Sequence, residues 1–166
     1  MRYCIEMECS FFTKTRFPST PRSFLVIDID GTLVTNGAYI VGETTHNTLS
    51  WLKKYHIICL TSNNKNRKRN EAIALTLGFP YVAGIKPFGK ITNAVRAINS
   101  ARLPIIVVGD RYSTDGLLAR RLKGVFIPVK SLRNGNESWH TKIAYVLDAM
   151  IARIMRAISL CLIILQ

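Results

Sequence analysis

Four aspartates lie where two apolar segments of the chain end. Asp28 ends the run FLVID and Asp30 follows it closely, while Asp110 and Asp115 follow the run IIVVG. In an open parallel sheet, the carboxyl ends of neighbouring strands form the ligand crevice. If the two runs are neighbouring strands, three or four carboxylates converge there, and their like charges raise each other's pKa unless a cation offsets them. A hard divalent cation with oxygen ligands, most simply Mg²⁺, is the expected occupant.

The elements that must position these aspartates alternate between strands and helices. Apolar runs predict strands over 24–29, 56–61, 81–83, 104–108 and 125–129. Helices are predicted over 45–55, 65–77, 88–98 and 113–122, and a long C-terminal helix over 138–166. This alternation predicts an α/β protein with a parallel sheet and helices on both faces. Residues 1–23 have no steady periodicity and are predicted to be a lead-in segment before one domain over 24–130.

Composition limits the class of protein. The 166 residues are 48% hydrophobic and 20% charged, which excludes a wholly disordered chain and a disulfide-stapled miniprotein. The charge-free stretch 157–166 is shorter than the about 20 apolar residues that cross a bilayer. Glu6 and Glu8 occupy the place of the apolar part of a secretory signal. We therefore expect a protein that is not secreted and that is cytoplasmic or bound peripherally to an inner membrane face.

The net charge of +13 predicts an anionic partner. An excess of this size attracts nucleic acid, acidic lipid surfaces or phosphorylated substrates, although solubility alone is an alternative. A basic cluster follows the second predicted strand, where each cation adds about 1 kcal/mol of attraction to acidic lipid; its members are Lys65, Arg67, Lys68 and Arg69. A solvated helix N-terminus is the alternative interpretation. No aromatic residue interrupts this cluster, so base stacking is disfavoured and a nucleic-acid partner is not expected.

Four short motifs occur in an order that resembles the haloacid dehalogenase (HAD) superfamily of phosphatases. DIDGTLVTNG at 28–37 resembles the first motif, Ser62 in LTSNN the second, Lys86 in GIKP the third, and GDRYSTD at 109–115 the fourth. The resemblance covers Phe24 to about Val129. It implies a Rossmann-like HAD fold whose five parallel strands have the order 3-2-1-4-5. The SNN, KP and GDRxxTD segments are most similar to the YqeG-type, subclass IIIA branch, which includes phosphatidylglycerophosphate phosphatases.

The resemblance implies hydrolysis of a phosphomonoester through an aspartyl-phosphate. Asp28 is the expected nucleophile. Asp30 is expected to protonate the leaving group and then to take a proton from water. Ser62 and the backbone N–H of Asn63 are expected to bind phosphate at a helix N-terminus. Lys86 offers a positive charge to the transition state, and a surface lysine is the alternative interpretation.

The resemblance also implies the metal ligands. Asp110 is expected to bind Mg²⁺ beside the Asp28 carboxylate and the Asp30 backbone carbonyl, while Asp115 orients Lys86 or a metal-bound water.

Three further residues complete the expected site. Gly31 lets the chain turn sharply near the phosphate, and Thr32 is expected at the phosphate or substrate. Arg111 lies within the fourth motif and is expected to contact substrate or phosphate, with a salt bridge as the equal alternative.

The spacing of the motifs leaves no room for a cap domain over the site. Ser62 follows Asp28 by 34 positions and Lys86 follows Ser62 by 24. An open site admits a phosphate on something large, such as a lipid head group, a protein or a nucleic-acid end. The resemblance to the YqeG-type branch implies phosphatidylglycerophosphate, or a similar anionic lipid head group, as the favoured substrate. The alternatives are nucleic-acid ends, phosphoproteins or a small sugar phosphate and, from another class, a non-catalytic anion-binding module. A response-regulator receiver is disfavoured, because Ser62 stands where its phospho-acceptor would lie.

The C-terminal helix carries a stripe of apolar residues at helical spacing. It either packs on the sheet or a partner, or lies on an anionic membrane. Its members are Ile143, Leu147, Met150, Ile154, Ile158, Cys161 and Leu165.

Overall fold

The computed structural model describes residues 21–133, 139, 143 and 145–154. These residues form the strands β1 (Phe24–Asp28), β2 (Ile57–Ser62), β3 (Tyr81–Ala83), β4 (Ile105–Gly109) and β5 (Val125–Pro128). They also form the helices α1 (Glu43–Leu52), α2 (Arg67–Leu77), α3 (Ile91–Ile98) and α4 (Leu117–Leu122), with a π-helical turn (Tyr112–Gly116) directly before α4. Residues 145–154 are helical as well and are called α5. Most of the predicted lead-in segment and the end of the predicted C-terminal helix lie outside the described residues.

All five strands are parallel and follow the order β3-β2-β1-β4-β5. This confirms the predicted sheet and its strand order. Phe24 at the start of β1 lies opposite Ile57 of β2 on one side and Ile105 of β4 on the other. After β1 the chain adds β2 and β3 on one side of β1, and it then crosses to the opposite side of β1, where it adds β4 and β5. Such a reversal creates a crevice at the carboxyl ends of the central strands.

Strand β1 is buried on both of its faces, as its continuous apolar run predicts. Leu25 and Ile27 pack in one core cluster, with residues of α1 and α2. Phe24 and Val26 point to the other face and pack in a second cluster, with residues of α3 and α4. Helices thus cover both sides of the sheet, and β1 lies at its centre.

Two residues, Asn66 and Gly78, set the ends of α2. Gly78 adopts a left-handed conformation with φ of 72° and ends the helix, as predicted. The helix begins at Arg67, two residues later than predicted, because the side chain of Asn66 accepts a hydrogen bond from the Arg69 backbone N–H at 3.1 Å. This bond makes Asn66 the N-cap and leaves the preceding residues outside the helix.

The helix predicted over 113–122 is regular only from Leu117 onward. Before it, the N–H groups of both Asp115 and Gly116 donate to the Arg111 carbonyl, at 2.8 and 3.2 Å. The second of these bonds spans five residues, which defines a π-helical turn. Turns of this kind are frequent at functional sites.

No cap domain occurs within the continuous stretch 21–133, in agreement with the prediction. Between β1 and β2 the chain forms a loop and α1, and between β2 and β3 it forms α2 alone. The carboxyl ends of the strands are therefore not covered by an inserted domain.

Helix α5 packs against the rest of the protein through one side. Asp148 and Ala152 are buried and Tyr145 is half-buried. The opposite side, which we call the apolar face of α5, is between 38 and 59% exposed; it consists of Val146, Leu147, Met150, Ile151 and Ile154. The predicted apolar stripe thus does not pack on the sheet at its described positions. No helix among the described residues is long and apolar enough to span a membrane.

Candidate active site

The residues predicted to do chemistry lie at the carboxyl edge of the sheet. Asp28 is the last residue of β1 and Ser62 is the last residue of β2. Lys86 follows β3, Asp110 directly follows β4, and Asp115 lies in the π-helical turn. Because the strands are parallel, their carboxyl ends meet at one edge, and residues far apart in sequence become neighbours there.

Lys86 is a buried cation between two aspartates. Its Nζ donates to Oδ1 of Asp28 and to Oδ1 of Asp115, each at 2.5 Å. Burial alone lowers the pKa of a lysine, but the charges of Asp115 and Asp28 outweigh burial and raise the pKa of Lys86. With 3% of its surface exposed, Lys86 is not a surface lysine. It is a fixed positive charge aimed into the crevice.

Asp28, Asp110 and Asp115 form a compact group of carboxylates. One oxygen from each lies within 4.8 Å of the other two. Burial raises the pKa of Asp28 well above its usual value, which the charge of Lys86 opposes and those of Asp115 and Asp110 reinforce. Burial likewise raises the pKa of Asp110 to about 6, although the hydrogen bond from Ser131 opposes the shift. Burial is the main cause of both shifts, and the like charge of the neighbouring carboxylates adds to it.

The carboxylate group fits a divalent cation. Oδ1 of Asp110 is buried and has no hydrogen-bond partner among the described residues, whereas Oδ2 accepts from Ser131 Oγ at 2.6 Å. A buried acceptor without a partner costs free energy unless a cation or donor reaches it. Asp115 has less capacity left to bind a cation directly, because both of its oxygens already accept hydrogen bonds. Oδ1 accepts from Lys86, and Oδ2 accepts from the Arg111 N–H and from Thr114 Oγ1, both at 3.3 Å. Hard oxygen donors of this kind suit Mg²⁺.

The carboxylate of Asp30 belongs to a separate polar cluster. Oδ2 accepts from Ser62 Oγ at 2.7 Å and from Arg69 Nη1 at 2.9 Å, and Oδ1 accepts from the Gly37 N–H at 3.0 Å. Arg69 therefore balances the charge of Asp30. The expected metal ligand from Asp30 was its backbone carbonyl, and that role stays a prediction.

Ser62 and Asn63 make contacts that the sequence did not predict. The Ser62 hydroxyl donates its one proton to Asp30 and accepts from the Asn64 N–H at 2.9 Å. It must therefore leave Asp30 before it can donate to a phosphate oxygen. The side chain of Asn63 accepts from the Lys86 N–H at 2.7 Å and donates to the Lys86 carbonyl at 3.1 Å. Asn63 thereby fixes the loop that carries Lys86.

Gly31 is required by the close approach of two chain segments. Its φ is +80°, and a Cβ built there would lie 2.8 Å from Cγ of Asp110. Only glycine combines this conformation with the space that the Asp110 carboxylate occupies. Thr32, next to it, is fully buried, and its hydroxyl lacks a hydrogen-bond partner within the described part of the chain.

Arg111 packs against an aromatic ring of α5. Its guanidinium lies 5.8 Å from the ring centroid of Tyr145. Its Nε is buried without a hydrogen-bond partner, and it forms no ion pair with another described residue. The salt bridge considered from the sequence is thus not seen among these residues.

The basic cluster at the start of α2 divides into two parts. Arg69 is 2% exposed and pairs with Asp30, and Arg67 pairs with Glu71 at 2.7 Å. Lys65 and Lys68 remain exposed. Arg69 is therefore not available to an external anion, whereas the other three cations are exposed and an anionic partner for them stays a prediction. A cation at a helix N-terminus opposes the helix dipole and signals an anionic partner, and for Arg69 that partner is an aspartate of the same protein.

Three more residues near the site were missed from the sequence. Ser131 contacts Asp110, and Tyr145 lies 3.2 Å from Ser131. Asp148 accepts hydrogen bonds from the N–H groups at the start of the π-helical turn. None of the three lies in a recognisable motif, and only the fold brings them to the carboxyl edge of the sheet.

Comparison with known proteins gives one informative similarity. The chain is 29% identical to a protein of Bacillus subtilis described as the probable phosphatase YqeG. The similarity extends over 122 residues and covers 66% of this chain and 69% of the Bacillus protein. No protein-family model matches the chain. No solved structure gives a significant match.

Proposed function

We propose that the protein is a Mg²⁺-dependent phosphomonoester hydrolase of the HAD type. The observation that carries the proposal is the buried Asp28 carboxylate, 2.5 Å from the Lys86 ammonium and within 4.8 Å of oxygens of Asp110 and Asp115. A carboxylate can attack a phosphoryl group only where positive charge offsets the negative phosphoryl oxygens. The similarity to a probable phosphatase supports the same reaction class.

In the proposed reaction an oxygen of Asp28 attacks phosphorus. A bond forms between that oxygen and phosphorus, and the bond to the leaving oxygen breaks as Asp30, which must have taken up a proton from solvent before this step, donates that proton to the leaving oxygen. Asp30 then takes a proton from water, whose oxygen attacks phosphorus and releases inorganic phosphate and free Asp28. Lys86 keeps a positive charge beside the phosphoryl oxygens. Arg69 and Ser62 hold the Asp30 carboxylate in place before substrate arrives.

The carboxylates of Asp28 and Asp110 would hold Mg²⁺, together with the backbone carbonyl of Asp30 and, through water, Asp115. When bound, the ion supplies positive charge that keeps the carboxylates ionised and offsets charge on the phosphoryl oxygens. Asp28 needs such help because burial raises its pKa, and only its ionised form is nucleophilic.

We propose phosphatidylglycerophosphate, or a similar anionic lipid head group, as the substrate. Three observations support this. The stretch 21–133 contains no cap domain over the strand ends. The apolar face of α5 is exposed to solvent. Positive charge is available for an anionic surface, because Lys65 and Lys68 are exposed near the end of β2 and the net charge is +13. Peripheral binding of the protein to an anionic membrane is therefore part of the proposal.

A substrate panel tests both levels of the proposal. The purified full chain is assayed with Mg²⁺ and then with EDTA against phosphatidylglycerophosphate in vesicles, a sugar phosphate, a nucleic-acid 3′-phosphate and a phosphoprotein. We expect phosphate release that EDTA abolishes and that is fastest from the lipid. Faster release from a soluble phosphate would overturn the lipid substrate only. No release from any of them would overturn the hydrolase and leave a non-catalytic anion-binding module.

A further inference from the structure

We infer that α5 is a positioning element of the carboxylate group at the strand ends, acting through Asp148 and Tyr145. This inference rests on the proposed function in one respect, since it takes Asp110 and Asp115 as residues of a metal site. It goes beyond that function because it gives residues outside every motif a role in how the site binds its ion.

The first connection is a helix cap supplied by a distant residue. Asp148 is 5% exposed, and its two carboxylate oxygens accept from the N–H groups of Tyr112 and Ser113 at 2.9 and 2.7 Å. These are the first two amides of the π-helical turn. The residue that precedes the turn, Arg111, makes no capping bond with its own side chain. A carboxylate 35 positions away from Ser113 therefore does the work that a local N-cap residue usually does.

The turn that Asp148 holds carries Asp115 two residues further along. Oδ1 of Asp115 binds Lys86, so the position of the turn also sets the position of that ammonium group. The fit is tight, because a Cβ built at Gly109 would overlap the Asp115 carboxylate. A turn released by Asp148 would shift Asp115 and Lys86 relative to Asp28.

The second connection reaches Asp110. Ser131 Oγ lies 2.6 Å from Asp110 Oδ2 and 3.2 Å from the Tyr145 hydroxyl. When Asp110 is ionised it can only accept, so Ser131 donates its proton to Asp110 and the Tyr145 hydroxyl donates to Ser131. This chain of contacts orients Asp110 so that its other oxygen, Oδ1, stays available for a cation. Two side chains of α5, one helical turn apart, thus hold two different aspartates of the site.

The experiment compares Asp148→Asn with the wild-type full chain. The asparagine side chain keeps one acceptor and presents an NH₂ group to the second amide, so it cannot cap both Tyr112 and Ser113. We expect Mg²⁺ binding, measured by calorimetry without substrate, to weaken by roughly tenfold. We also expect faster hydrogen exchange at these two amides. Glu71→Gln removes a carboxylate from an exposed ion pair and is expected to leave Mg²⁺ affinity unchanged.

Faster amide exchange with unchanged Mg²⁺ affinity would overturn the inference, since α5 would then only pack against the turn. If Asp148→Asn does not fold, Tyr145→Phe carries the test, because it removes one hydroxyl and keeps the ring. We expect a weakening of Mg²⁺ binding of roughly threefold in that variant. An unchanged affinity there would overturn the second connection.

The design separates the inference from the proposed function. A wild-type chain that binds Mg²⁺ but releases no phosphate would overturn the hydrolase and leave the role of α5 intact, provided that Asp148→Asn weakens binding. A wild-type chain that hydrolyses phosphomonoesters, with an Asp148→Asn variant of normal Mg²⁺ affinity, would overturn the role of α5 alone.

Discussion

Lys86 places one positive charge among three carboxylates, of which those of Asp28 and Asp115 are buried and that of Asp110 is half-buried. When Asp28, Asp110 and Asp115 are all ionised, the group carries an excess of two negative charges, which a divalent cation balances. Lys86 already compensates part of this charge, through its two 2.5 Å contacts. The lysine is therefore as much a structural requirement of the site as a proposed contributor to its chemistry.

Replacement of Lys86 by methionine should destabilise the protein without metal. The substitution keeps the volume of the side chain but leaves buried acids without a cation, which costs about 3–5 kcal/mol in the free energy of unfolding. Urea denaturation in EDTA measures the loss. The double variant with Asp28→Asn should recover part of it, because one of the acids is then neutral. A single variant as stable as the wild type would contradict this account of the charge balance.

Asp28→Asn should abolish phosphate release. An amide oxygen is a poor nucleophile, and the loss of a residue that reacts covalently lowers kcat by a factor on the order of 10⁴ or more. Circular dichroism should show an unchanged fold, since asparagine has the same shape. A steady-state rate equal to that of the wild type would remove Asp28 from the mechanism.

Gly31→Ala and Gly78→Ala form a matched pair. Both glycines have a positive φ, of +80° and +72°, so both substitutions cost about 1 kcal/mol of backbone strain. Only at Gly31 does the new Cβ meet the Asp110 carboxylate, whereas nothing lies within 4 Å of it at Gly78. We therefore expect Mg²⁺ affinity to fall by roughly tenfold in Gly31→Ala and to stay normal in Gly78→Ala. Equal affinities in the two variants would show that the Asp110 contact is unimportant.

At the scale of elements, the strands were predictable because their signal is local. A strand such as β1, buried on both faces, must be apolar throughout, and this is visible in the sequence without knowledge of its neighbours. The predicted ends of the helices were less accurate than the predicted strands. The start of α2 depends on one side-chain bond from Asn66, and the π-helical turn depends on the Arg111 carbonyl accepting twice. Neither bond leaves a periodic pattern, so the sequence predicted a regular helix over 113–122.

The site was predictable to the extent that motifs end at strand ends. Parallel strands bring their carboxyl ends together, so Asp28, Asp110 and Lys86 could be placed near each other before the structure was known. The contacts of Arg69, Ser131 and Asp148 could not be predicted in this way. Their partners lie 39, 21 and 35 or 36 positions away in the chain, and no spacing rule connects residues so far apart. Only packing decides such pairs.

The exposed apolar face of α5 leads to a prediction about lipid binding. Leu147→Glu puts a charge on this face, where Leu147 is 54% exposed, and should weaken binding to phosphatidylglycerol-containing vesicles by roughly tenfold. Leu75→Glu is the matched control, because Leu75 is an exposed leucine on α2 and the substitution changes the net charge equally. Sedimentation with vesicles measures both. Equal loss in the two variants would indicate that net charge, not α5, governs binding.

For the whole molecule, the raised acid pKa values link stability to pH and metal. The pKa of Asp110 rises from 3.8 to about 6 in the folded protein. Protonation of Asp110 therefore stabilises the folded protein relative to the unfolded chain. This contribution is fully present below pH 3.8 and is lost as pH rises through about 6. Mg²⁺ competes with the same proton, so its stabilising effect should grow as pH rises through this range.

Thermal unfolding with and without excess Mg²⁺ tests this linkage. We expect a small rise in Tm on adding Mg²⁺ near pH 5 and a larger rise near pH 8. Asp110→Asn should reduce the rise at the higher pH, because the variant lacks the titrating ligand. An equal Mg²⁺ effect at both pH values would contradict proton competition at Asp110.

The contact between Asp148 and the π-helical turn also has a consequence for shortened forms of the protein. Asp148 follows all five strands in the sequence, so a polypeptide that ends after residue 133 still contains every strand of the sheet. In such a polypeptide the N–H groups of Tyr112 and Ser113 would lose the carboxylate that accepts from them. We therefore expect this truncation to weaken Mg²⁺ binding more than it reduces the β-sheet signal in circular dichroism.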